Sequence, residues 1–523
     1  MFQRRHRRHD RAHEFPTYIV WDERIDRHNR FDRDDDHGTT VLLHTKYDSR
    51  KRFASPGTSF ETFEDSARWR SLEGEMTPDS KTKYTGSQSL RLVGRDGHHV
   101  IIERRLSGTM DFTDRDVSAM IRTTTPSEIG FYVYLVDTDG NKAALELRDI
   151  SYRPPDIGWF RTCPGVFEAD EKLDLRNIDR ILLQVTNGTA DDVKAWVDDV
   201  RFHPKPDKGY LILSWDDGKR SYYENAAPLH DEYGFPAVLT HPPHLAGLKR
   251  DAFMSLEELK ERDSKGDEVV AHGSVQDPFA RISSSKLDGI LETHKQWLID
   301  HEFSGADFIV YPGNNFDETA LDVVSNYHYM GGMNQSGNVN TTGVRGFDPL
   351  VLPRTIGENL EISKTVVDNV ATYRNCGILN FHDFESSNTM SISDYRELLS
   401  HIDGTAGVEV ITFSDLWECE RIPHRKTLFA RFGRFDYPLD KEIRVSRGRL
   451  FASLSSMVFL VNFARVMFAP LLEPLKHEFL VSNATVGLIA TLVWLGSALP
   501  EFRRDTSSPE SSATAPFSAL ASC

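Results

Sequence analysis

Between residues 209 and 420, short apolar runs alternate with helix-like stretches, and no other feature restricts the fold of this chain so strongly. The series opens with GYLILSW at 209–215. It continues through ENAAPLHDEYG, AVLT, SLEELKERDSKG, EVVAHG, a helical stretch from Ser283 to about His301, DFIVYPG, and a second helical stretch near 317–327. YMGGM, LVLPRTI, a helix near 363–374, GILNFHDF, a helix near 393–402 and VEVITFSDL complete it. Strand and helix repeated in this order predict a parallel sheet with helices packed outside it. Seven or eight strands in about 210 residues predict closure into a (β/α) barrel rather than an open sheet. Local punctuation agrees: Ser255 and Glu258 are spaced as a capping box, and Gly234 and Gly266 stop the two helices that precede them.

The first strand ends in two adjacent carboxylates, Asp216 and Asp217, followed by Gly218. Two readings stand for this Asp-Asp-Gly. It is good chemistry for a solvated turn. It is also a costly pair of charges at the end of a buried strand, in need of a cation or a shared proton. Asp216, His272, Tyr311 and His382 all fall at or just after strand C-termini. A barrel gathers such residues at the rim where active sites of this architecture lie.

The rest of the 523-residue chain divides by composition. Residues 1–56 mix Arg, His and Asp without periodicity and predict disorder. Residues 57–203 hold alternating runs such as HVIIERRL, GFYVYLVD, RILLQVT and VKAWVDDVRF between turn signals, which predict a two-sheet β-sandwich. A basic linker spans 421–447. The apolar stretches 450–472 and 479–499 are long enough to cross a bilayer, so 448–500 is expected to form a helical hairpin, ahead of a disordered tail at 501–523. Arg444, Arg447, Arg449, Arg503 and Arg504 would hold both ends of that hairpin on the cytoplasmic side. The expected localisation is membrane association where the hairpin inserts, and a soluble protein otherwise. The opening residues carry charge but no apolar core of the signal-peptide kind. A net charge of −17 argues against a nucleic-acid partner. The four cysteines have neither metal-ligand spacing nor the density of a disulfide framework.

Taken together, SWDDG, AHGSVQDPF, VYPGN and LNFHDF in 209–420 resemble the motifs of the polysaccharide deacetylase domain (NodB-type, carbohydrate esterase family four). That family has a distorted (β/α) barrel and uses a divalent metal, usually zinc, to remove N-acetyl groups from glycans. The resemblance implies Asp216 as general base and His382 as general acid, with Arg354 orienting the base. It implies Asp217, His272 and Gln276 as metal ligands, and Trp215, Tyr311 and Pro312 as substrate-binding residues. Gln276 stands where the family has a second histidine, and a Gln oxygen is a poorer zinc ligand than imidazole. His241, His244 and Asp277 are the available substitutes. The chemistry suits the residue types: a metal lowers the pKa of a bound water, a carboxylate takes its proton, and an imidazole protonates the departing amine. The second reading from the same residues is a carbohydrate-binding barrel that has lost its metal and its activity. FETFEDSARWRSLEG, YTGSQSLRL and WVDDVRFHP resemble jelly-roll carbohydrate-binding modules, which implies a structural calcium held by Glu64, Asp65 and Asp199. Residues 446–500 resemble the first helices of a major-facilitator-type transporter.

Overall fold

A computed structural model describes residues 57–421 of the protein, apart from 126–128, 149–155, 247–251, 275–276, 337–338 and 385–388. The first part is a sandwich of two antiparallel sheets. One runs Glu75–Asp79, Ser89–Gly94, Val193–Pro204, Arg115–Thr123, Phe160–Thr162, with Thr58–Glu61 also paired to Val193–Pro204. The other runs Val166–Ala169, Lys142–Arg148, Gly130–Asp137, Ile178–Val185, Val100–Met110, Arg70–Glu73. Period-two alternation explains the core. Ile181, Leu183 and Val185 point the same way on their strand, Leu183 lies opposite Ile102, and all four are buried. Burying each such side chain is worth roughly 1.5–3 kcal/mol. The short strands 58–61, 70–73, 75–79, 160–162 and 166–169 had no sequence signal, being too brief to display a period.

The second part is a closed barrel of seven parallel strands: β1 (Gly209–Trp215), β2 (Val238–His241), β3 (Glu268–His272), β4 (Gly305–Val310), β5 (Met330–Ser336), β6 (Leu352–Ile356) and β7 (Cys376–Phe381). Pairing of Tyr210–Trp215 with Cys376–Phe381 closes the ring. Outside it pack α1 (Ala227–Tyr233), α2 (Leu256–Ser264), α3 (Ser284–Asp300), α4 (Glu318–Val324), α5 (Leu360–Tyr373) and α6 (Ile392–Gly404), and the chain continues into α7 (Phe413–Arg421). The capping box of α2 is formed by Ser255 and Glu258, and α1 ends on Gly234 in the left-handed conformation. Of the closing run VEVITFSDL, Val408–Val410 forms a strand paired with β1, and the chain then enters α7 rather than continuing extended. Thr412 and Asp415 cap its first turn, and the buried carboxylate of Glu268 accepts the amides of Phe413 and Ser414.

Alternation along the barrel strands sorts their side chains. Ile212, Val238, Val270, Val310, Leu352 and Ile378 form one buried cluster with Phe413, Leu416 and Trp417 of α7. Leu211, Leu213, Leu239 and Val269, their neighbours in sequence, belong to a different cluster together with helix residues such as Leu291 and Val367. Two residues further along the strands, on the face of the first cluster, stand Ser214, Thr240, His272, Arg354 and Asn380, all buried. An apolar layer inside the barrel is therefore topped by a polar one.

The expected architecture needs correction. The barrel is a closed ring of seven strands, with Val408–Val410 paired to β1 outside the ring. The helical hairpin, and the membrane attachment and localisation that followed from it, are not supported. Among the described residues no helix is long and apolar enough to cross a membrane. Residues 450–499, with the transporter-like resemblance, lie outside the described residues, as do the segments 1–56 and 501–523 expected to be disordered.

Candidate active site at the barrel rim

The polar layer is organised around Asp216. Continuing the inward face of Ile212 and Ser214, Asp216 meets Arg354 of β6, two strands round the ring, where Nη1 donates to both carboxylate oxygens at 3.0 Å. Ser214 and Thr240 add hydroxyl donors at 3.3 Å, and the Asp216 amide donates to Phe381 O at 2.8 Å. Asp216 and Arg354 are both buried, so each leans on the other. Removing one partner of a buried pair costs about 3–5 kcal/mol.

Asp217 breaks away from the strand. Its φ of 67° and the 62° of Gly218 lie in the left-handed region, a conformation that costs a non-glycine residue roughly 1–3 kcal/mol. A Cβ on Gly218 would come within 2.0 Å of His241 Nδ1, so glycine is required there on two counts. The turn brings Asp217 Oδ1 to 3.4 Å from Nε2 of His272, whose Nδ1 donates to Val310 O at 2.8 Å. Burial works against ionisation of Asp217, but the hydrogen bond and charge of His272, then His382 and Lys219, outweigh it and hold the carboxyl at about 2. Burial likewise disfavours the charge of His272, yet Asp217, Asp216 and the Val310 carbonyl together raise its pKa. His382, after β7, is oriented by Glu358 at 3.0 Å. Its pKa is raised in the same way, against burial, by Glu358, Asp216 and Asp217. Two adjacent aspartates are thus directed to different partners, with two imidazoles biased towards the charged form beside them.

Other expected site residues are placed differently. Trp215 is 2% exposed and packs among Tyr222, Phe381, Phe384 and Tyr395, away from solvent. Tyr311 is buried and its hydroxyl donates to Leu350 O, and Pro312 is buried beside it. Glu358 was not singled out in the sequence. No local pattern marks it, because its partner is 24 residues away.

The expected zinc and calcium are corrected by the donor sets. Among the described residues, no group of three or more His, Cys, Asp or Glu side chains is arranged to hold a metal ion. Asp217 and His272 come together, but Gln276 lies outside the described residues. Asp277 is taken by Lys286 at 2.6 Å, and His241, on the outward face of β2, stacks on Trp297 of α3. Both ring nitrogens of His241 lack a hydrogen-bond partner. In the sandwich, Glu64 accepts from Ser87, Asp65 caps the 66–68 turn, and Asp199 is buried between Arg161 and Arg201. Those three carboxylates serve protein donors rather than a cation.

The fold and site define a (β/α) barrel with a cluster of carboxylate, imidazole and guanidinium side chains on its rim, joined to an antiparallel sandwich. No family model matches the chain, and no curated protein matches it. Among solved structures it is similar to the Xyl-CE4 domain of a multidomain xylanase from the hindgut metagenome of Trinervitermes trinervoides. That match has 18% identity over 41% of this chain and 92% of that one, with a TM-score of 0.30. A family 4 carbohydrate esterase from Streptomyces lividans, in complex with acetate, is 12% identical over 39% of this chain and 92% of its own, at 0.29. An exo-beta-agarase is 15% identical over 28% of this chain, which spans only 25% of the agarase, at 0.23. Likenesses at TM-scores of this size carry no argument, and the fold rests on the strand pairings above.

Proposed function

We propose that the barrel hydrolyses acyl groups carried by a glycan, with N-acetyl groups as the substrate class that the motif resemblance implies. One observation carries the reading: adjacent Asp216 and Asp217 diverge onto Arg354 and His272, and the charges of both act on His382. Asp216, oriented by Arg354, accepts the proton of a water attacking the acyl carbon. His272, biased towards its charged form by Asp217, favours the negative charge that builds on the acyl oxygen. His382, oriented by Glu358, gives its proton to the departing nitrogen, so that the amide and water become a free amine and acetate. No step is routed through a metal, because the donors among the described residues do not fit one.

Acetate release from N-acetylglucosamine oligomers tests this directly. The wild-type chain is expected to release acetate, and Asp216→Asn to lose about 10²–10⁴-fold in kcat. A second reading, a barrel that binds glycan without turning it over, is favoured by the absence, among the described residues, of a third His, Cys, Asp or Glu donor beside Asp217 and His272. It replaces the first if the wild-type chain binds the oligomers and releases no acetate above blank.

A further inference from the structure

A cleft of about 330 Å³ opens where the sandwich meets the barrel, and it shares no residue with the rim site. Lys83, Tyr84, Trp159 and Arg161 line it from the sandwich, and Glu318 and Asp348 from the barrel. Its volume falls within the ~300–1,000 Å³ of small-molecule sites. Two features of its walls select a ligand. The first is aromatic: Tyr84, at 49% exposure one of few large apolar side chains so open to solvent, stands 6.2 Å from the partly buried Trp159. The second is charge. Two cationic and two acidic side chains face the same space, so the cleft offers donors and acceptors without a net field to attract a polyanion.

Both walls are fixed in advance. The amides of Tyr84 and Thr85 donate to the buried carboxylate of Asp198 at 2.9 and 3.0 Å, which locks the loop bearing Tyr84. Arg161 is held by Ser118 and by Asp199. The Glu318 amide donates to Asp156 O at 3.2 Å, and Asp156 binds Arg122 and the amide of Gly158, next to Trp159. Gly158 has φ +72°, which favours glycine, and its Cα lies close against the Glu318 side chain, so the Trp159 segment and the start of α4 are in contact. Preformed walls reduce the ordering cost of binding.

We infer that this cleft is a separate carbohydrate-binding site, taking a neutral oligosaccharide whose C–H face packs on Tyr84 and Trp159 and whose hydroxyls pair with Lys83 and Glu318. It stands whether or not the rim site turns substrate over. The test is isothermal titration of the full chain carrying His382→Gln, a substitution that leaves the buried Asp216–Arg354 pair intact, with cellotetraose, xylotetraose and chitotetraose, and with heparin as the polyanion. One neutral tetrasaccharide is expected to bind. Tyr84→Ala, at an exposed position, is expected to weaken that binding about tenfold, and Glu318→Gln on the opposite wall to weaken it severalfold. The inference is overturned if no neutral tetrasaccharide binds at millimolar concentration, if heparin binds more tightly than all three, or if both variants bind like their parent. Acetate release by the wild-type chain is measured separately, so failure here and failure of the rim-site reading are distinguishable.

Discussion

At the scale of single residues, the two aspartates after β1 show how position along a strand divides two identical side chains. Asp216 continues the inward face and meets a guanidinium; Asp217 leaves it through a strained turn and meets an imidazole. If His382 protonates the leaving group, His382→Gln should cost about 10²–10⁴-fold in kcat on an N-acetylated substrate. The loss should be far smaller on an aryl acetate, whose leaving group needs no proton, and parallel assays on the two substrates read the difference. The pH dependence of stability follows from the same groups. His272 and His382 have folded pKa values above the ordinary 6.5, so their contribution is full below about 6.5 and is lost as pH rises through the folded values. Asp217 is lowered from 3.8 to about 2, so its contribution is full above about 3.8 and fades as pH falls towards 2. Urea midpoints across pH should peak between these limits, and replacing Asp217 with Asn should flatten the acid side.

At the scale of elements, caps and turns were legible because their chemistry is local. Ser255 and Glu258 close the N-terminus of α2 within four residues of sequence, and Gly234 ends α1 with the positive φ that glycine tolerates best. Ser255→Ala should therefore cost about 1 kcal/mol in urea unfolding, with the slope of the transition unchanged. The start of α7 was not legible. It depends on Glu268, a buried carboxylate 145 residues earlier whose pKa burial pushes up to about 7, despite the Ser414 and Phe413 donors it accepts. ITFSDLW taken by itself has the apolar and β-branched content of a strand.

At the scale of the whole described structure, sandwich and barrel are joined by buried polar contacts rather than by a linker alone. Asp116 of the sandwich is buried against Lys205 at 3.1 Å and against Asn375, which precedes β7, at 3.2 Å. Gly165 donates to Thr341 O and Gly343 to Cys163 O, both at 2.7 Å. Burial raises the Asp116 pKa, and Lys205 is the charge that chiefly opposes the rise. Lys205→Met should leave that carboxylate uncompensated, lower stability by about 3–5 kcal/mol, and split calorimetric unfolding into separate sandwich and barrel transitions.

The sequence by itself determined the alternation of strand and helix, the two-sheet character of residues 57–203, the caps, and the placing of Asp216, Asp217, His272 and His382 at strand ends. All of these follow from periods of two and 3.6 or from pairs a few residues apart. Only the tertiary structure decided the seven-strand closure and the polar layer that sets Arg354 on Asp216, 138 residues distant. The same holds for the burial of Trp215 and Tyr311, the Glu358 partner of His382, and the lack, among the described residues, of a third donor beside Asp217 and His272. Each of these depends on which strand lies beside which and on where the chain turns, and a one-residue change in either sends a side chain to the opposite face.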